Sequence, residues 1–199
     1  MKMQDKTSIR REMLAARKEL DDQVVASLSA RIAKRIDLLP EFEAARVVCC
    51  YLAMRAEVDL GSRMDAAWKA AKRLCVPAYR HDRGGYEPAW YEGNMRLSTG
   101  PDGARQPAVP EWVPPGEIDV ILVPGLAFDS AGGRLGRGGG HYDWMLRRMG
   151  GHPFKLGVAF DFQLVDRVPV DRSDVSMDAV VTENKTLRCA AAHPDRRRT

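Results

Sequence analysis

Apolar positions recur at intervals of three or four residues in two segments near the start of the chain. This spacing places them on one face of an amphipathic helix, so helices are predicted over residues 7–19 and 22–39. The same periodicity predicts a third helix over residues 59–72, with Asp59 as its N-cap. Residues 142–148 have helix-forming composition and precede two glycines, which predicts a fourth helix.

Short apolar runs bounded by glycine, proline or polar residues alternate with these helices, and such runs predict strands. The predicted strands span residues 47–53, 74–79, 86–91, 120–123, 155–160 and 179–182. Residues 94–116 are rich in proline and glycine and are predicted to form a loop. The alternation predicts an α/β fold: a single three-layer domain whose largely parallel or mixed sheet carries helices on both faces.

The composition is that of an ordinary soluble globular protein, with 45% hydrophobic and 29% charged residues. A length of 199 residues predicts one domain, over residues 1–189. No apolar run is long enough to span a membrane, and the first residues lack the apolar segment of a secretory signal. The four cysteines have no Cys-x-x-Cys spacing, which favours reduced thiols over zinc or disulfides. We therefore expect a cytoplasmic protein without a membrane partner.

The net charge of +4 raises the question of a nucleic-acid partner. Three of the positive charges are Arg196, Arg197 and Arg198, in a segment over residues 190–199 that has no periodicity and is predicted to be a disordered basic tail. Removing these three charges from +4 leaves about +1, which is no electrostatic footprint. We expect no nucleic-acid partner.

Six glycines lie between Gly132 and Gly140, interleaved with Arg134 and Arg137, after a predicted strand and before a predicted helix. Glycine lets backbone N–H groups approach oxygens closely, and a helix N-terminus adds partial positive charge. Each guanidinium can also donate to two oxygens at once. The arrangement predicts a site for a polyphosphate.

Two common phosphate motifs do not fit this glycine-rich segment. Gly133 and Gly138 have the Walker A spacing, but Gly139 and Gly140 stand where lysine and serine or threonine are needed. A dinucleotide fingerprint fails because His141 occupies the position of its third glycine. A merely flexible connection remains an alternative, which the two arginines disfavour.

The sequence PGLAFDSAGGRLGRGGGHYD, over residues 124–143, resembles the signature of the 5-formyltetrahydrofolate cyclo-ligase family, also called 5,10-methenyltetrahydrofolate synthetases. Lys6 and Arg10 match the family's Lys-x-x-x-Arg, and residues 51–59 resemble its strand followed by Glu-Val-Asp. Residues 168–183 resemble its closing segment. The resemblance extends over residues 6–187, in the same order.

The resemblance implies an enzyme that uses ATP and Mg²⁺ to cyclise 5-formyltetrahydrofolate to 5,10-methenyltetrahydrofolate. ADP and phosphate are released, and the reaction passes through an N5-iminium phosphate. The implied substrate includes forms of 5-formyltetrahydrofolate with and without a polyglutamate tail. The implied enzyme is a monomer or a weak homo-oligomer.

The resemblance also implies residue roles. Arg134 and Arg137 are the implied catalytic residues. The implied ATP-binding residues are Lys6, Arg10, Arg134, Leu135, Gly136, Arg137, Gly138, Gly139, Gly140, His141 and Tyr142. The implied folate-binding residues are Leu52, Met54, Glu57, Arg137 and His141, and the implied magnesium ligands are Asp143 and Asp174.

Plainer roles remain for several of these residues. Lys6 and Arg10 are, without the resemblance, two solvated charges, and Asp143 is a common charge at a helix start. Leu52 and Met54 fit an ordinary core equally well. Trp90 and Tyr91 are aromatic residues that could stack on a flat ring, but packing on a sheet face is slightly favoured.

The chain departs from the family pattern at several positions, among them Leu60, which follows Asp59 where threonine is common. Gly139 stands where some members have lysine, His141 replaces a tyrosine or phenylalanine, and Gln106 replaces a glutamate before Pro107. These departures bear on affinity and pH dependence more than on the type of reaction.

Two other functions stay open from the sequence. The first is a sugar-phosphate isomerase-like enzyme, which would bind a phosphate monoester in the same loop and form no ADP. The second is a non-catalytic folate- or nucleotide-binding regulator, which would bind ligand without forming product. The set of Arg134, Arg137, Tyr142, Asp143 and Asp174 weighs against both.

Overall fold

A computed structural model describes residues 5–68, 71–114, 116–149 and 153–189. The tail predicted over residues 190–199 lies outside this part of the chain, as do the two glycines expected after the helix at 142–148. Among the described residues, no helix has the length and apolar character needed to cross a membrane.

A seven-stranded sheet forms the centre of the molecule, and two short hairpins accompany it. The strands are β1 Val47–Cys49, β2 Arg73–Arg80, β3 Gly85–Tyr91, β4 Leu97–Thr99, β5 Arg105–Pro107, β6 Val120–Pro124, β7 Ala127–Phe128, β8 Arg134–Leu135, β9 Phe154–Val158, β10 Ala179–Val181 and β11 Thr186–Arg188. The order in the sheet is β11-β10-β9-β6-β1-β2-β3. The five central strands are parallel, while β3 and β11 pair antiparallel at the two edges.

Helices cover both faces of this sheet. They are α1 Lys6–Lys18, α2 Asp22–Asp37, α3 Pro40–Ala44, α4 Gly61–Arg63, which continues as a π-helical turn over Met64–Trp68, and α5 His141–Arg148. Alternate residues of β6 face opposite ways: Leu122 lies in the buried cluster that contains Ile36 of α2, and Ile121 lies in the cluster that contains Met145 of α5. The predicted α/β class, with a largely parallel sheet between helices, is confirmed.

The first helix packs beside the glycine-rich segment. Its apolar residues Ile9 and Met13 join Leu126 and Leu135 in a separate buried cluster, which ties α1 to the hairpin of β7 and β8. The carboxylate of Asp5 caps the helix by accepting from the Ser8 N–H at 2.8 Å. The packing of α1 on the hairpin of β7 and β8 joins residues that lie more than a hundred positions apart in the chain.

The helix predicted over residues 59–72 begins two residues later than expected, at Gly61, and includes a wider turn. Its N-cap is Leu60, and the Asp59 carboxylate instead accepts from the Gly61 N–H at 2.9 Å before the helix begins. The helix then widens into a π turn, and Trp68 donates its indole N–H to Asp37 at 2.7 Å. Tertiary packing of this buried tryptophan, which periodicity does not register, accompanies the wider turn.

The loop predicted over residues 94–116 was too simple a description, because it contains the hairpin of β4 and β5. Gly103 turns this hairpin with a φ of +85°, and the Gly100 N–H donates to the Ala104 carbonyl at 2.8 Å. The same glycines that suggested a loop supply the turn between two short strands. The strand predicted over residues 47–53 also ends early, at Cys49.

Candidate functional site

A cavity of about 410 Å³ opens where β1 and β6 end, at the carboxyl edge of the parallel strands. In open α/β sheets this edge is the usual place for a ligand. Every residue that the sequence associated with ATP, folate or magnesium lines this cavity: Lys6, Arg10, Leu52, Met54, Glu57, Arg134, Leu135, Gly136, Arg137, Gly138, Gly139, Gly140, His141, Tyr142, Asp143 and Asp174.

Arg134 is fixed in the wall of the cavity. Its side chain is only 4% exposed, and it donates to Asp143 Oδ2 at 2.6 Å and to the Pro124 carbonyl at 3.4 Å. A Cβ at Gly136 would lie 2.9 Å from Arg134 Nη1, so the absence of a side chain there makes room for the guanidinium. Among the described residues, Arg134 Nε has no hydrogen-bond partner.

Arg137 has very different surroundings. Its side chain is 48% exposed, and its guanidinium contacts Glu57 only loosely, with 3.4 Å between Arg137 Nη2 and Glu57 Oε1. The glycines that follow it turn the chain sharply, because Gly138 and Gly140 have φ values of +114° and +67°. Arg137 therefore projects into the cavity from a segment that holds its backbone but not its side chain.

The helix α5 begins directly after this segment, with its N-terminus at the cavity. Its N-cap, Gly140, provides no side-chain oxygen for the first N–H groups. Unpaired N–H groups and the helix dipole favour an anion at such a terminus. His141, its first residue, packs edge-to-face against Tyr86 with the ring centres 5.1 Å apart.

Two cations of α1 reach the same cavity. Lys6 Nζ donates to Asp174 at 2.8 Å and to Asp171 at 2.9 Å, and these partners raise the pKa of Lys6, the hydrogen bond to Asp174 most strongly. Arg10 Nε donates to the Gly136 carbonyl at 3.0 Å. The four-residue spacing predicted that both side chains could face one ligand, and both do line the cavity.

The two carboxylates expected to bind magnesium lie close together in this wall. Asp143 Oδ1 accepts from the N–H of Val175, the residue after Asp174, at 3.0 Å. Each carboxylate is paired with a cation, Asp143 with Arg134 and Asp174 with Lys6. No group of three or more potential ligand side chains occurs in the described ranges. The donor set fits Mg²⁺ when phosphate oxygens supply the remaining ligands, because this ion prefers oxygen and commonly takes one or two carboxylates.

Glu57 closes the opposite side of the cavity. Its Oε2 accepts from the Met54 N–H at 3.1 Å, and the Glu57 N–H donates back to the Met54 carbonyl at 3.0 Å. Ala56 takes a left-handed conformation, with a φ of 57°, to complete this turn. Tyr51 donates its hydroxyl to Val58 at 2.8 Å, and burial raises the pKa of Tyr51 well above its usual value. The turn therefore presents a fixed carboxylate to the cavity.

Of the four apolar and aromatic residues for which plain packing was an alternative, two line the cavity and two do not. Leu52 and Met54 line the cavity, and Leu52 also packs against the main core. Trp90 and Tyr91 do not line it: the Arg73 guanidinium stacks on Trp90 at 3.6 Å, and Tyr91 donates to Asp65 at 3.2 Å. Packing on the sheet was thus the better expectation for Trp90 and Tyr91.

Sequence reasoning missed several residues that line the cavity, among them Arg17, Tyr86, Asp102 and Asp171. Arg17 carried a usable signal, since it lies seven residues after Arg10 and therefore on the same helix face. Tyr86 and Asp102 carried none, because their hydrogen bond joins the sheet to the turn of the missed hairpin.

Comparison with known proteins agrees with this geometry. The model of the 5-formyltetrahydrofolate cyclo-ligase family matches residues 2–183. The 5-formyltetrahydrofolate cyclo-ligase of Mycolicibacterium smegmatis is 34% identical over 148 residues, which cover 71% of this chain and 76% of the relative. The Escherichia coli K12 protein of the same name is 30% identical over 173 residues, with 85% and 95% covered.

A solved structure is similar over nearly the whole length. The NMR structure of the Aquifex aeolicus 5,10-methenyltetrahydrofolate synthetase superposes with a TM-score of 0.80 at 31% identity, covering 97% of this chain and 99% of the other. The match extends through the elements that build the cavity, from α1 to the strands that close the sheet. This chain belongs to the 5-formyltetrahydrofolate cyclo-ligase family.

Proposed function

We propose that this protein catalyses the ATP- and Mg²⁺-dependent cyclisation of 5-formyltetrahydrofolate to 5,10-methenyltetrahydrofolate, with release of ADP and phosphate. One observation carries the proposal: a single cavity joins the glycine-rich segment, the α1 cations and the fixed carboxylate of Glu57. The names of the curated relatives support the same reaction.

ATP lies along the glycine-rich segment with its phosphates toward the N-terminus of α5. Lys6, Arg10, Arg134 and Arg137 supply positive charge to the phosphates. The backbone of residues 135–140 and the side chains of His141 and Tyr142 complete the nucleotide site. Four cations and an uncapped helix terminus around one cavity suit a highly charged triphosphate.

Asp143 and Asp174 would hold Mg²⁺, an ion that commonly takes one or two carboxylates together with phosphate oxygens. When bound, the ion neutralises charge on the phosphates. The cations that pair with these carboxylates, Arg134 and Lys6, then lie beside the same phosphates. The two carboxylates and the two cations thus serve one ligand.

The folate ring lies between the nucleotide and the turn that carries Glu57. A carboxylate accepts from the amino group and the ring N–H of a pterin, so Glu57 fixes the orientation of the ring. Leu52 and Met54 provide apolar contact beside it. Arg137 and His141 face the formyl group from the glycine-rich segment.

The reaction needs no nucleophile from the protein. The formyl oxygen attacks the γ-phosphorus, the bond to ADP breaks, and an N5-iminium phosphate forms. N10 then attacks the activated carbon and loses its proton, while phosphate leaves with the former formyl oxygen. The residues of the cavity contribute position and charge stabilisation, which dominate catalysis of phosphoryl transfer.

The test is to mix the purified protein with 5-formyltetrahydrofolate and Mg-ATP, and to follow methenyl absorbance together with ADP release. We expect both signals to rise in equal amounts, and to vanish when ATP or magnesium is left out. Folate or ATP binding without product would instead identify a regulator. Isomerisation of a phosphate monoester without ADP formation would identify the isomerase-like alternative.

We further propose that residues 1–189 form the catalytic domain and that the protein acts in the cytoplasm, without nucleic acid or a membrane, as a monomer or a weak homo-oligomer. The four cysteines are free, and three of them are buried, which supports a reducing compartment. Light scattering across a range of concentrations tests the oligomeric state.

A further inference from the structure

Arg17 lies at the base of the cavity and is almost completely buried, with a relative exposure of 4%. It belongs to α1, on the face that also carries Arg10. Burying a guanidinium is unfavourable unless it is paired and hydrogen-bonded. A buried arginine beside this cavity therefore needs both a counterion and hydrogen-bond acceptors.

One partner holds Arg17 to the sheet. Arg17 Nη2 donates to the carbonyl of Gly125, directly after β6. The same carbonyl accepts from Gln163 Nε2 at 2.9 Å, and Gln163 is fully buried with its Oε1 accepting from the Phe160 N–H at 3.0 Å. The guanidinium of Arg17 is thus attached to a rigid group.

The other partner is Glu57. Arg17 Nη1 lies 3.5 Å from Glu57 Oε1, and Arg137 Nη2 lies 3.4 Å from the same oxygen. One negative charge therefore faces two positive charges. The two arginines differ in exposure, because the Arg17 side chain is 5% exposed and the Arg137 side chain is 48% exposed.

This difference assigns separate roles to the two cations. If Arg137 moves away, Glu57 keeps a buried counterion and stays in place. If Arg17 were absent, Glu57 would have only Arg137, and a partly desolvated carboxylate would hold that arginine tightly. Arg17 therefore decides whether Arg137 is free.

We propose that Arg17 is a positioning residue: it is the permanent counterion of Glu57, fixes this carboxylate toward the folate ring, and so releases Arg137 to the phosphates. The proposal rests on the proposed function. It predicts that Arg17 acts on folate binding only through Glu57, and on turnover through Arg137.

A double-mutant cycle tests this role. The variants are Arg17→Met, Glu57→Gln and the double variant, with Arg11→Met as a control that removes a positive charge from the exposed side of the same helix. The measurements are the Kd for 5-formyltetrahydrofolate without nucleotide, kcat at saturating substrates, and thermal stability.

We expect Arg17→Met to raise the folate Kd by about tenfold or more and to lower kcat by a similar factor, since coupled residues interact this strongly. The double variant should bind folate no more weakly than Glu57→Gln alone, because Arg17 has no further effect once the carboxylate is gone. Its kcat should exceed that of Arg17→Met, because Arg137 is no longer held. Arg11→Met should match the wild type.

Additive losses of folate affinity would overturn the proposal, since they would mean that Arg17 acts independently of Glu57. An unchanged folate Kd in a folded Arg17→Met protein would overturn it as well. If Arg17→Met does not fold, the double variant decides: it should fold and bind folate like Glu57→Gln, and a further loss would contradict the proposal. A wild type that neither binds folate nor forms product overturns the proposed function, and this role with it.

Discussion

Arg134 and Arg137 belong to the same glycine-rich segment, but their side chains have opposite surroundings. The Arg134 side chain is buried and donates to Asp143. The Arg137 side chain is half-exposed, and its guanidinium lies 3.4 Å from Glu57 Oε1. At the scale of single residues, this contrast indicates that Arg134 is a fixed part of the cavity wall, whereas the Arg137 side chain is free to move. The two arginines should therefore respond differently to substitution.

Replacing Arg137 by alanine should lower kcat by about a thousandfold or more, because an arginine that stabilises charge in phosphoryl transfer has an effect of this size. The unfolding midpoint should change little, since the side chain is half-exposed. Single-turnover formation of the methenyl product measures the effect. The exposed Arg46→Ala, outside the cavity, is the control, and near-normal turnover of Arg137→Ala would remove Arg137 from the mechanism.

The sequence predicted the residues of the cavity better than their partners. Lys6 and Arg10 were expected to face one ligand from their helical spacing, and they do line one cavity. Their bonds to Asp171 and to the Gly136 carbonyl were not predictable, because these partners come from distant segments. The buried position of Arg17 was missed for the same reason. Helical spacing fixes a direction on α1 but not what lies opposite.

At the scale of elements, the hairpin of β4 and β5 is tied to the sheet by side chains. Tyr86 of β3 donates its hydroxyl to Asp102 in the turn, and burial raises the pKa of Tyr86, so the hydroxyl remains a donor. Gln106 Oε1 accepts from the Tyr79 N–H at 2.9 Å. A Cβ at Gly103 would lie 3.8 Å from Met54, so the turn approaches the part of the cavity that Met54 lines.

Tyr86→Phe should raise KM for 5-formyltetrahydrofolate several-fold while changing kcat much less. The free energy of unfolding should fall by about 1 kcal/mol, the value of one hydrogen bond. Steady-state kinetics and urea denaturation measure the two effects. Tyr79→Phe is the matched control, because the Tyr79 hydroxyl has no hydrogen-bond partner in the described ranges. Equal KM values for the two variants would show that the turn does not shape the folate site.

The glycine-rich segment offers a second prediction at this scale. Gly132 and Gly140 both have positive φ, but only Gly132 is crowded: a Cβ there would lie 2.5 Å from the Met177 carbonyl oxygen. Gly132→Ala should lower the free energy of unfolding by about 2–4 kcal/mol, from backbone strain and the clash together. Gly140→Ala, with nothing within 4 Å, should lose only about 1 kcal/mol. Urea denaturation of both variants checks the difference, and equal losses would contradict it.

Elements were predictable where periodicity was long and local. The first helix was expected over residues 7–19 and spans Lys6–Lys18. The two hairpins escaped because their strands have only two or three residues, too few to show alternation. The π turn in the helix after Asp59 was not predicted, and Trp68, at its end, bonds to Asp37 in a distant segment that local periodicity does not include.

At the scale of the whole molecule, the buried thiols and phenols make the free energy of unfolding depend on pH in the alkaline range. Burial raises the pKa of the Cys50 and Cys75 thiols well above the value near 9 that they have when exposed, and it raises that of Cys189 to about 11. The pKa of Tyr142 is raised by burial in the same way. In the unfolded chain these groups ionise at lower pH, so unfolding releases protons.

The free energy of unfolding should therefore be constant with respect to these groups below about pH 9 and should fall above it. Well above its pKa in the unfolded chain, each fully buried thiol approaches a contribution of about 1.4 kcal/mol per pH unit, so the slope from Cys50 and Cys75 together approaches about 2.7 kcal/mol per unit near pH 10. Urea denaturation at several pH values between 8 and 10 measures this slope. Cys75→Ala should reduce it by about half of that amount, and an unchanged slope would show that the Cys75 thiol ionises in the folded protein.

The α/β class followed from the alternation of strands and helices, but the order of the strands did not. The sheet runs β11-β10-β9-β6-β1-β2-β3, so the first strand of the chain lies near its middle. This order follows from pairing between strands that are distant in the chain, such as β1 with β6, and a single sequence does not show that pairing. The place of the cavity, at the ends of β1 and β6, depends on that order.

The bonds from Lys6 to the far end of the chain also have a consequence for biosynthesis. Lys6 lies 168 residues before Asp174, and α1 packs against a hairpin more than a hundred residues later. On the ribosome, the first helix emerges long before the segments that it must contact. The cavity can therefore assemble only after residues 171–174 have left the exit tunnel, and until then the apolar face of α1 lacks part of its native contacts.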